Sequence, residues 1–248
     1  MKLEAKQLFF SYNKTEPVLQ NINLDFVENS ITVLAGVNGC GKSTLLKLLA
    51  GLLKPDSGEI LLDGIPLKSI HRRELARKLA YVPQMPELPP GFTVEESVLC
   101  GRYPHGTSKA HDRSMVAHLL DMFGIAHLSQ RQLSTLSGGE CQRCFLAMAL
   151  AQEPSVLLLD EPFSALDPAA FRELFNLLIK AKQQYSFTVI IVLHDVNRAL
   201  NYGDRMVGIK DGKINFHLPS LQAADKIQQL YDLSDDAIFY GNGKPFFF

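Results

Sequence analysis

The sequence lacks any long apolar run and any excess of one charge. No stretch of the 248 residues approaches the ~18 consecutive apolar residues that a membrane-spanning helix requires. The formal net charge is −1 and the sequence pI is about 6.7, which leaves no overall field to attract nucleic acid or an anionic membrane. We therefore expect no nucleic-acid partner, and we expect any membrane role to depend on a partner protein.

Cysteine and linker sequence are also scarce. The four cysteines are too few and too irregularly spaced for a secreted disulfide framework, so their thiols are expected to be free. Cys141 and Cys144 stand one helical turn apart without a second pair or a flanking histidine, which favours packing over zinc or redox chemistry. Met1–Lys6 carries no apolar signal-peptide run, and no repeat or Pro/Gly linker separates domains.

A glycine-rich segment follows the short apolar run Ile31–Ala35 and precedes leucines at helical spacing. Glycines in such a place let backbone amides approach a phosphate, and the amide-rich start of the next helix points at the same anion. Lys42 adds a positive charge, the Ser43 hydroxyl suits Mg²⁺, and Thr44 can reach a neighbouring phosphate oxygen. The pattern predicts a loop that binds ATP with Mg²⁺. The residues of this phosphate loop are Gly36, Val37, Asn38, Gly39, Cys40, Gly41, Lys42, Ser43 and Thr44.

Two acidic residues end a second apolar run. Asp160 can hold Mg²⁺ directly or through water, and Glu161 can orient or deprotonate the attacking water. His194 ends a third apolar run and can hydrogen-bond a terminal phosphate oxygen, although a core histidine or a neighbour of a helix cap at Asp195 gives the same pattern. We predict that Glu161, His194 and Lys42 are catalytic and that Asp160 and Ser43 hold the metal.

Gln84 and Tyr12 are further candidates for the same site. Gln84 lies between a strand-like run and a helical stretch, where its amide can contact Mg²⁺ or the attacking water while its backbone moves the helical part. Tyr12 follows two phenylalanines and can stack on an adenine ring, and the alternative is a core aromatic of an edge strand. We assign Gln84 to catalysis and to the metal, and Tyr12 to ATP.

A second anion site is predicted far along the chain. Ser137, Gly138 and Gly139 open a helix that is expected to reach about Gln152, and they offer a hydroxyl and backbone amides. An ordinary helix cap is the alternative. One ATP cannot easily be enclosed by both sites of the same chain if a helical insert projects from the core. The second site is therefore expected to meet ATP that another copy of the chain holds.

The apolar patterns define an α/β fold. Leu3–Tyr12 and Val18–Phe26 alternate like strands around a turn, which indicates an antiparallel layer, and Gly58–Ile65 again reads as a strand. Continuous apolar runs at 156–159 and 188–193 indicate strands of a parallel sheet that is covered on both faces.

Helix caps mark the remaining elements. Thr93 and Glu96 have the spacing of a capping box, which opens an all-helical insert that runs with interruptions to about Leu128. Asp167 before Pro168 suits the start of a crossover helix between the two parallel strands.

These motifs together resemble the nucleotide-binding subunits of ABC transporters, from Tyr12 to about Gly212. The resemblance implies the ABC ATPase fold: a P-loop NTPase core with a mainly parallel sheet, an N-terminal antiparallel β layer and an all-helical insert. It implies that Ser137–Glu140 contacts the γ-phosphate held by a partner subunit, so Glu140 joins the ATP contacts. It also implies that Asp167 lies in a loop that communicates across the dimer. Glu140 and Cys141 depart from the commoner residues at their positions. The segments that carry the resemblance are 36–44, Gln84, 136–140, 160–161, 164–167 and His194.

The same resemblance divides a single domain into parts. We expect an antiparallel layer at 1–30 and 57–70, a nucleotide-binding core at 31–56 and 153–215, a helical insert with the signature motif at 88–152, and a C-terminal extension at 216–248.

A narrower similarity concerns importers. Gly101–His105 and Gly243–Phe246 are similar to the ATPases that serve iron-siderophore, haem and cobalamin uptake. This implies a homodimer at the cytoplasmic face of the membrane, with separate permease subunits and an extracytoplasmic solute-binding protein. A soluble ABC-type ATPase of a complex-assembly system, such as iron-sulfur cluster assembly, shares the core motifs. A nucleotide-gated module without hydrolysis is disfavoured because Glu161 and His194 are both present.

Overall fold

A computed structural model describes most of the chain and divides it into two compact units. The described residues are 1–13, 15–84, 86, 91–106, 109–164, 166–234, 238–241 and 244–247, with backbone alone at 238–241 and 244–246. The first unit contains Met1–Ile70, Leu159–Glu161 and Thr188–Phe248, and the second contains His71–Leu158 and Pro162–Phe187.

The described elements are a mixture of strands and α-helices. The strands are β1 Leu3–Ser11, β2 Pro17–Asp25, β3 Ile31–Ala35, β4 Ser57–Leu62, β5 Ile65–Pro66, β6 Leu79–Val82, β7 Val156–Asp160, β8 Thr188–Val192, β9 Arg205–Lys210, β10 Lys213–Pro219, β11 Ile238–Gly241 and β12 Lys244–Phe247. The helices are α1 Lys42–Leu49, α2 Arg72–Lys78, α3 Val94–Cys100, α4 Lys109–Met122, α5 Gly138–Leu150, α6 Pro168–Tyr185, α7 Val196–Tyr202 and α8 Ala224–Tyr231. In the described part of the chain, none of these helices combines the length and the apolar character needed to span a bilayer.

The first unit contains the predicted antiparallel layer. Its strand order is β2-β1-β4-β5, and β1 pairs antiparallel with both β2 and β4. Leu3, Ala5, Leu8 and Phe10 are buried, while the residues between them are more exposed. The expected half-buried alternation is therefore confirmed, with register shifts that turn the strand's inner face at Leu8.

The first unit also contains a largely parallel group of strands. β3 pairs parallel with β8 on one side and with β9 on the other, and every residue of β3 and β8 is buried. This confirms the sheet predicted from continuous apolar runs. The antiparallel hairpin of β9 and β10 was not predicted. Asp211 and Gly212 connect these strands with φ values of +51° and +71°, and this Asp-Gly pair is a hairpin signal that the sequence offered.

Two helices of the second unit, α3 and α6, begin at the caps that the sequence predicts. The Thr93 hydroxyl accepts from the Glu96 amide at 3.2 Å, and the Glu96 carboxylate accepts from the Thr93 amide at 2.9 Å, which completes a capping box for α3. Asp167 caps α6 by accepting hydrogen bonds from the amides of Ala169 and Ala170.

Burial raises the pKa of Cys144 to about 12. That thiol stays protonated, in keeping with the predicted packing role, and all four cysteines are free.

The Gly101–His105 segment has a structural role in the second unit. Arg102 is 3% exposed and donates to Asp112 at 2.9 Å, to Glu153 at 2.6 Å and to the Ala151 carbonyl at 2.8 Å. A buried arginine needs such partners because removing them leaves an unpaired charge away from water. Gly101–His105 therefore connects the end of α3 to α4 and to the end of α5 through Arg102.

Candidate nucleotide site

The phosphate loop connects β3 to α1 in the first unit. α1 begins directly after Gly41, and no side chain caps its first turn, so the amides of that turn can serve an anion. At Gly36 φ is +150°, and a Cβ there would lie 2.3 Å from the carbonyl oxygen of Ile209. Only glycine fits the start of this loop. The predicted order of strand, loop and helix is confirmed.

Lys42 lies along the inside of this loop. It is 6% exposed, and its ammonium donates to the carbonyl oxygens of Gly36 at 2.8 Å and Val37 at 2.9 Å. These two acceptors of the Lys42 ammonium are backbone carbonyls and not carboxylates. A phosphate oxygen is a stronger acceptor for an ammonium than a carbonyl is. The geometry therefore suits transfer of these hydrogen bonds to a phosphate.

Ser43 and Asp160, which the sequence analysis assigns to the metal, contact each other. The Ser43 hydroxyl donates to Asp160 Oδ1 at 2.9 Å, and Asp160 is 3% exposed at the end of β7. Hydroxyl and carboxylate oxygens are hard donors of the kind that Mg²⁺ prefers, and Mg²⁺ at a nucleotide needs only one or two protein ligands besides phosphates. The described residues contain no cluster of three or more His, Cys, Asp or Glu side chains that could hold a metal alone. The pair fits a metal that arrives with ATP.

Glu161 and His194 form a direct contact. His194 Nε2 lies 2.5 Å from Glu161 Oε1, and the side chains are 43% and 11% exposed, respectively. Glu161 also has a φ of +51°, a conformation that is uncommon outside glycine and often found at functional sites. The sequence predicted both residues beside the terminal phosphate but did not predict that they pair. The exposure of His194 disfavours the core-histidine alternative.

Tyr12 lies beside the loop and is not a core residue. It is 57% exposed, its ring meets Phe10 edge to face at 4.9 Å, and its hydroxyl lies 3.2 Å from the Thr44 hydroxyl. An exposed aromatic ring next to a phosphate loop is available for stacking on a base. Its contact with adenine remains a prediction.

Tyr231 is a contact of the loop that the sequence analysis missed. The Gly36 amide donates to the Tyr231 hydroxyl at 2.9 Å. The two residues are far apart in the chain, and no local motif marks the tyrosine.

The signature segment begins α5 in the second unit. The Ser137 amide and hydroxyl donate to Glu140 Oε2 at 2.8 Å and 2.7 Å, and the Glu140 amide donates back to the Ser137 hydroxyl at 3.4 Å. The Ser137 amide and hydroxyl lower the pKa of Glu140, so its carboxylate is ionised near neutral pH. A Cβ on Gly138 would meet nothing within 4 Å. The segment is thus a capped helix start with open space beside Gly138.

Gln84 and Asp167 also belong to the second unit. Gln84 lies two residues after β6, and the Asp167 carboxylate holds the first turn of α6 at 2.8 Å and 2.9 Å. Their roles at ATP, like those of Ser137, Gly138, Gly139 and Glu140, remain predictions. Ala165, Gly243 and Phe248, which belong to motifs or segments discussed above, lie outside the described residues.

The fold and the loop define a P-loop ATPase. Comparison with known proteins narrows this class: a model described as ABC transporter matches residues 19–164, and the chain belongs to that family. It is 41% identical over 216 residues to the petrobactin import ATP-binding protein FpuD of Bacillus anthracis, covering 86% of this chain and 79% of that protein. It is 44% identical over 204 residues to the hemin import ATP-binding protein HmuV of Shewanella denitrificans, covering 80% of each.

A solved structure agrees with this assignment. The structure of cbiO1 from Clostridium perfringens, part of the ABC transporter complex cbiONQ, superposes with a TM-score of 0.82 at 29% identity over 93% of each chain. The protein is therefore an ABC ATPase that binds and hydrolyses ATP. The comparisons give no support to the soluble complex-assembly alternative.

Proposed function

We propose that this chain powers an importer of a metal chelate of the iron-siderophore or haem type. The observation that carries this proposal is its similarity, over most of its length, to ATP-binding proteins named for petrobactin and hemin import. In this proposal the chain lies at the cytoplasmic face of the membrane and works with separate permease subunits. An extracytoplasmic solute-binding protein delivers the chelate.

Residues of the first unit have separate roles in ATP hydrolysis. The phosphate loop and Lys42 bind the β- and γ-phosphates, and Ser43 with Asp160 holds the Mg²⁺ that neutralises phosphate charge. Glu161 orients the attacking water and accepts its proton, and His194 hydrogen-bonds the terminal phosphate. The Glu161–His194 contact supports this division, because it keeps the base and the phosphate sensor within reach of each other. For Gln84 we retain the predicted contact with the metal or the water, and Tyr12 stacks on adenine.

Two copies of the chain close around two ATP molecules in this mechanism. The start of α5, with Ser137 and the amides of Gly138 and Gly139, binds the γ-phosphate held by the other copy. Loss of the γ-phosphate removes about two charge-assisted hydrogen bonds per site, each worth ~1.5–3 kcal/mol. Over two sites that is on the order of 6–12 kcal/mol, against ~5.5 kcal/mol needed to move a two-state equilibrium from one extreme to the other. The γ-phosphate is sufficient as the switch.

A groove in the second unit is suited to a permease. It has a volume of about 790 Å³, and its lining combines apolar Phe92, Leu99 and Tyr103 with charged side chains of both signs, among them Lys109, Arg113, Glu96 and Asp112. Tyr103 is 86% exposed, which is a large exposure for an aromatic side chain. Aromatic side chains and arginine are enriched at protein interfaces. We assign the groove to a cytoplasmic loop of the permease.

The proposed function can be tested by capture and reconstitution. Tagged protein purified from solubilised membranes is expected to carry a polytopic permease. In vesicles with that permease and its solute-binding protein, a ferric siderophore or haem is expected to stimulate ATP turnover. A Glu161→Gln chain should still capture the permease but show no stimulated turnover. Capture of a soluble scaffold in place of any membrane protein would contradict the proposal.

The charge of Glu140 gives a separate prediction for the dimer. Its carboxylate accepts from the Ser137 hydroxyl, which is one of the donors proposed for the other copy's γ-phosphate, and its negative charge lies beside that site. Glu140→Gln should therefore lower the ATP concentration that half-saturates dimer formation by about two- to fivefold, measured by light scattering in a Glu161→Gln background. Glu96→Gln removes the same charge from the equivalent capping box of α3 and should leave that concentration unchanged. Equal behaviour of the two variants would show that the Glu140 charge does not oppose closure.

A further inference from the structure

We propose that Tyr231 is a positioning residue for the phosphate loop, so that the end of α8 forms part of the nucleotide site. The proposal goes beyond import, because it concerns how this chain binds ATP and requires no permease. It follows from one hydrogen bond and from the contacts that hold both of its ends in place.

The first end is the start of the phosphate loop. The Gly36 amide donates to the Tyr231 hydroxyl at 2.9 Å, and the Gly36 carbonyl accepts from Lys42 at 2.8 Å. Gly36 is buried, and there is no room beside it for a side chain because of the Ile209 carbonyl. The amide of this residue thus depends on Tyr231 for its hydrogen bond, while its carbonyl locates the catalytic ammonium.

The second end is anchored by α8 and β9. Ala224, Ile227 and Leu230 are the buried face of α8, and Tyr231 is its last residue. Lys210, the last residue of β9, donates to both carboxylate oxygens of Asp232, at 2.8 Å and 2.9 Å. Asp232 has a φ of +52° and ends the helix. The ion pair and the apolar face together hold the tyrosine ring, so its hydroxyl meets Gly36 at a defined place.

The hydroxyl keeps its proton over the ordinary pH range. Burial raises the pKa of Tyr231, and the Gly36 amide that donates to the hydroxyl offsets only part of this rise. A neutral phenol can accept from Gly36 without placing a negative charge beside the site of an anionic ligand. The contact is therefore compatible with bound phosphate.

Loss of the hydroxyl should affect ATP binding more than chemistry. A buried amide without a partner is costly, so the start of the loop would shift to find one, and the Gly36 carbonyl that locates Lys42 would shift with it. Glu161 and His194 follow other strands, β7 and β8, and keep their mutual contact. The expected signature is a raised KM for ATP with little change in kcat.

The test uses Tyr231→Phe in the full chain, since this change keeps the ring and removes only the hydroxyl. Steady-state ATPase assays and titration with a fluorescent ATP analogue should show about a tenfold rise in KM and in Kd, with kcat within about twofold of the parent. Lys210→Met, which frees the end of α8, should raise KM in the same direction by a smaller factor.

Tyr185→Phe is the matched control. Tyr185 is also the last residue of a helix, α6, and burial also raises its pKa, but it belongs to the second unit. Its KM and kcat should equal those of the parent. An unchanged KM in Tyr231→Phe would overturn the proposal, and so would a fall in kcat at constant KM. Both results would leave the import proposal untouched, because no transport is measured.

Discussion

Replacing Glu161 with glutamine is expected to lower ATP turnover by about 10²–10⁴-fold while ATP still binds. The amide keeps the size of the side chain and can still meet His194, but it cannot accept a proton from the attacking water. Phosphate release measured at saturating ATP gives the turnover, and titration with a fluorescent ATP analogue gives the affinity. In the proposed mechanism hydrolysis opens the closed pair, so the variant should also accumulate as an ATP-dependent dimer in size-exclusion chromatography.

A matched control is available in Glu153. It has the same left-handed backbone conformation, with a φ of +51°, and its carboxylate also contacts a nitrogen-bearing side chain, that of Arg102. Glu153→Gln should turn over ATP within about twofold of the parent, because it changes no group assigned to the reaction and leaves Arg102 its bonds to Asp112 and to the Ala151 carbonyl. A Glu161→Gln protein that stayed monomeric with ATP and hydrolysed it at the parental rate would remove Glu161 from its role as the base.

Local sequence signals predicted the elements that carry the site. The Thr93–Glu96 box and the Asp167 cap involve contacts within three residues, so the sequence alone determines them and both appear in the structure. The phosphate loop is likewise local, since a buried strand, glycines and a helix start follow one another directly. The parallel strands were predictable because continuous burial on both faces leaves a continuous apolar run.

Contacts between distant residues were beyond the sequence analysis. Glu161 and His194 come from separate strands, and nothing in either segment indicates that they touch. Tyr231 meets Gly36 only because α8 packs where it does, and a lone tyrosine near the end of a short helix carries no motif. The role of Arg102 was likewise not predicted. Arginine side chains are usually exposed, whereas this one is buried and forms ion pairs with Asp112 and Glu153, which lie 10 and 51 residues away in the chain.

Lys42→Ala is expected to weaken ATP binding on the order of a hundredfold, the largest effect on affinity of any single change in the loop. The substitution removes the ammonium that the Gly36 and Val37 carbonyls hold inside the loop, and with it the charge-assisted hydrogen bonds that a phosphate would accept. The backbone amides at the start of α1 remain, so weak binding should persist. Isothermal titration with ATP and with ADP measures the loss.

Lys47→Ala supplies the comparison on the same helix. Lys47 lies in the last turn of α1, away from the amides of the first turn, so removing it takes away one positive charge without changing the loop. Its ATP affinity should stay within about twofold of the parent. The two large effects also separate from each other: Lys42→Ala should lose the nucleotide, whereas Glu161→Gln should retain it. If Lys42→Ala bound ATP as tightly as Lys47→Ala, the loop would hold phosphate through its backbone alone, and the ammonium would have no part in binding.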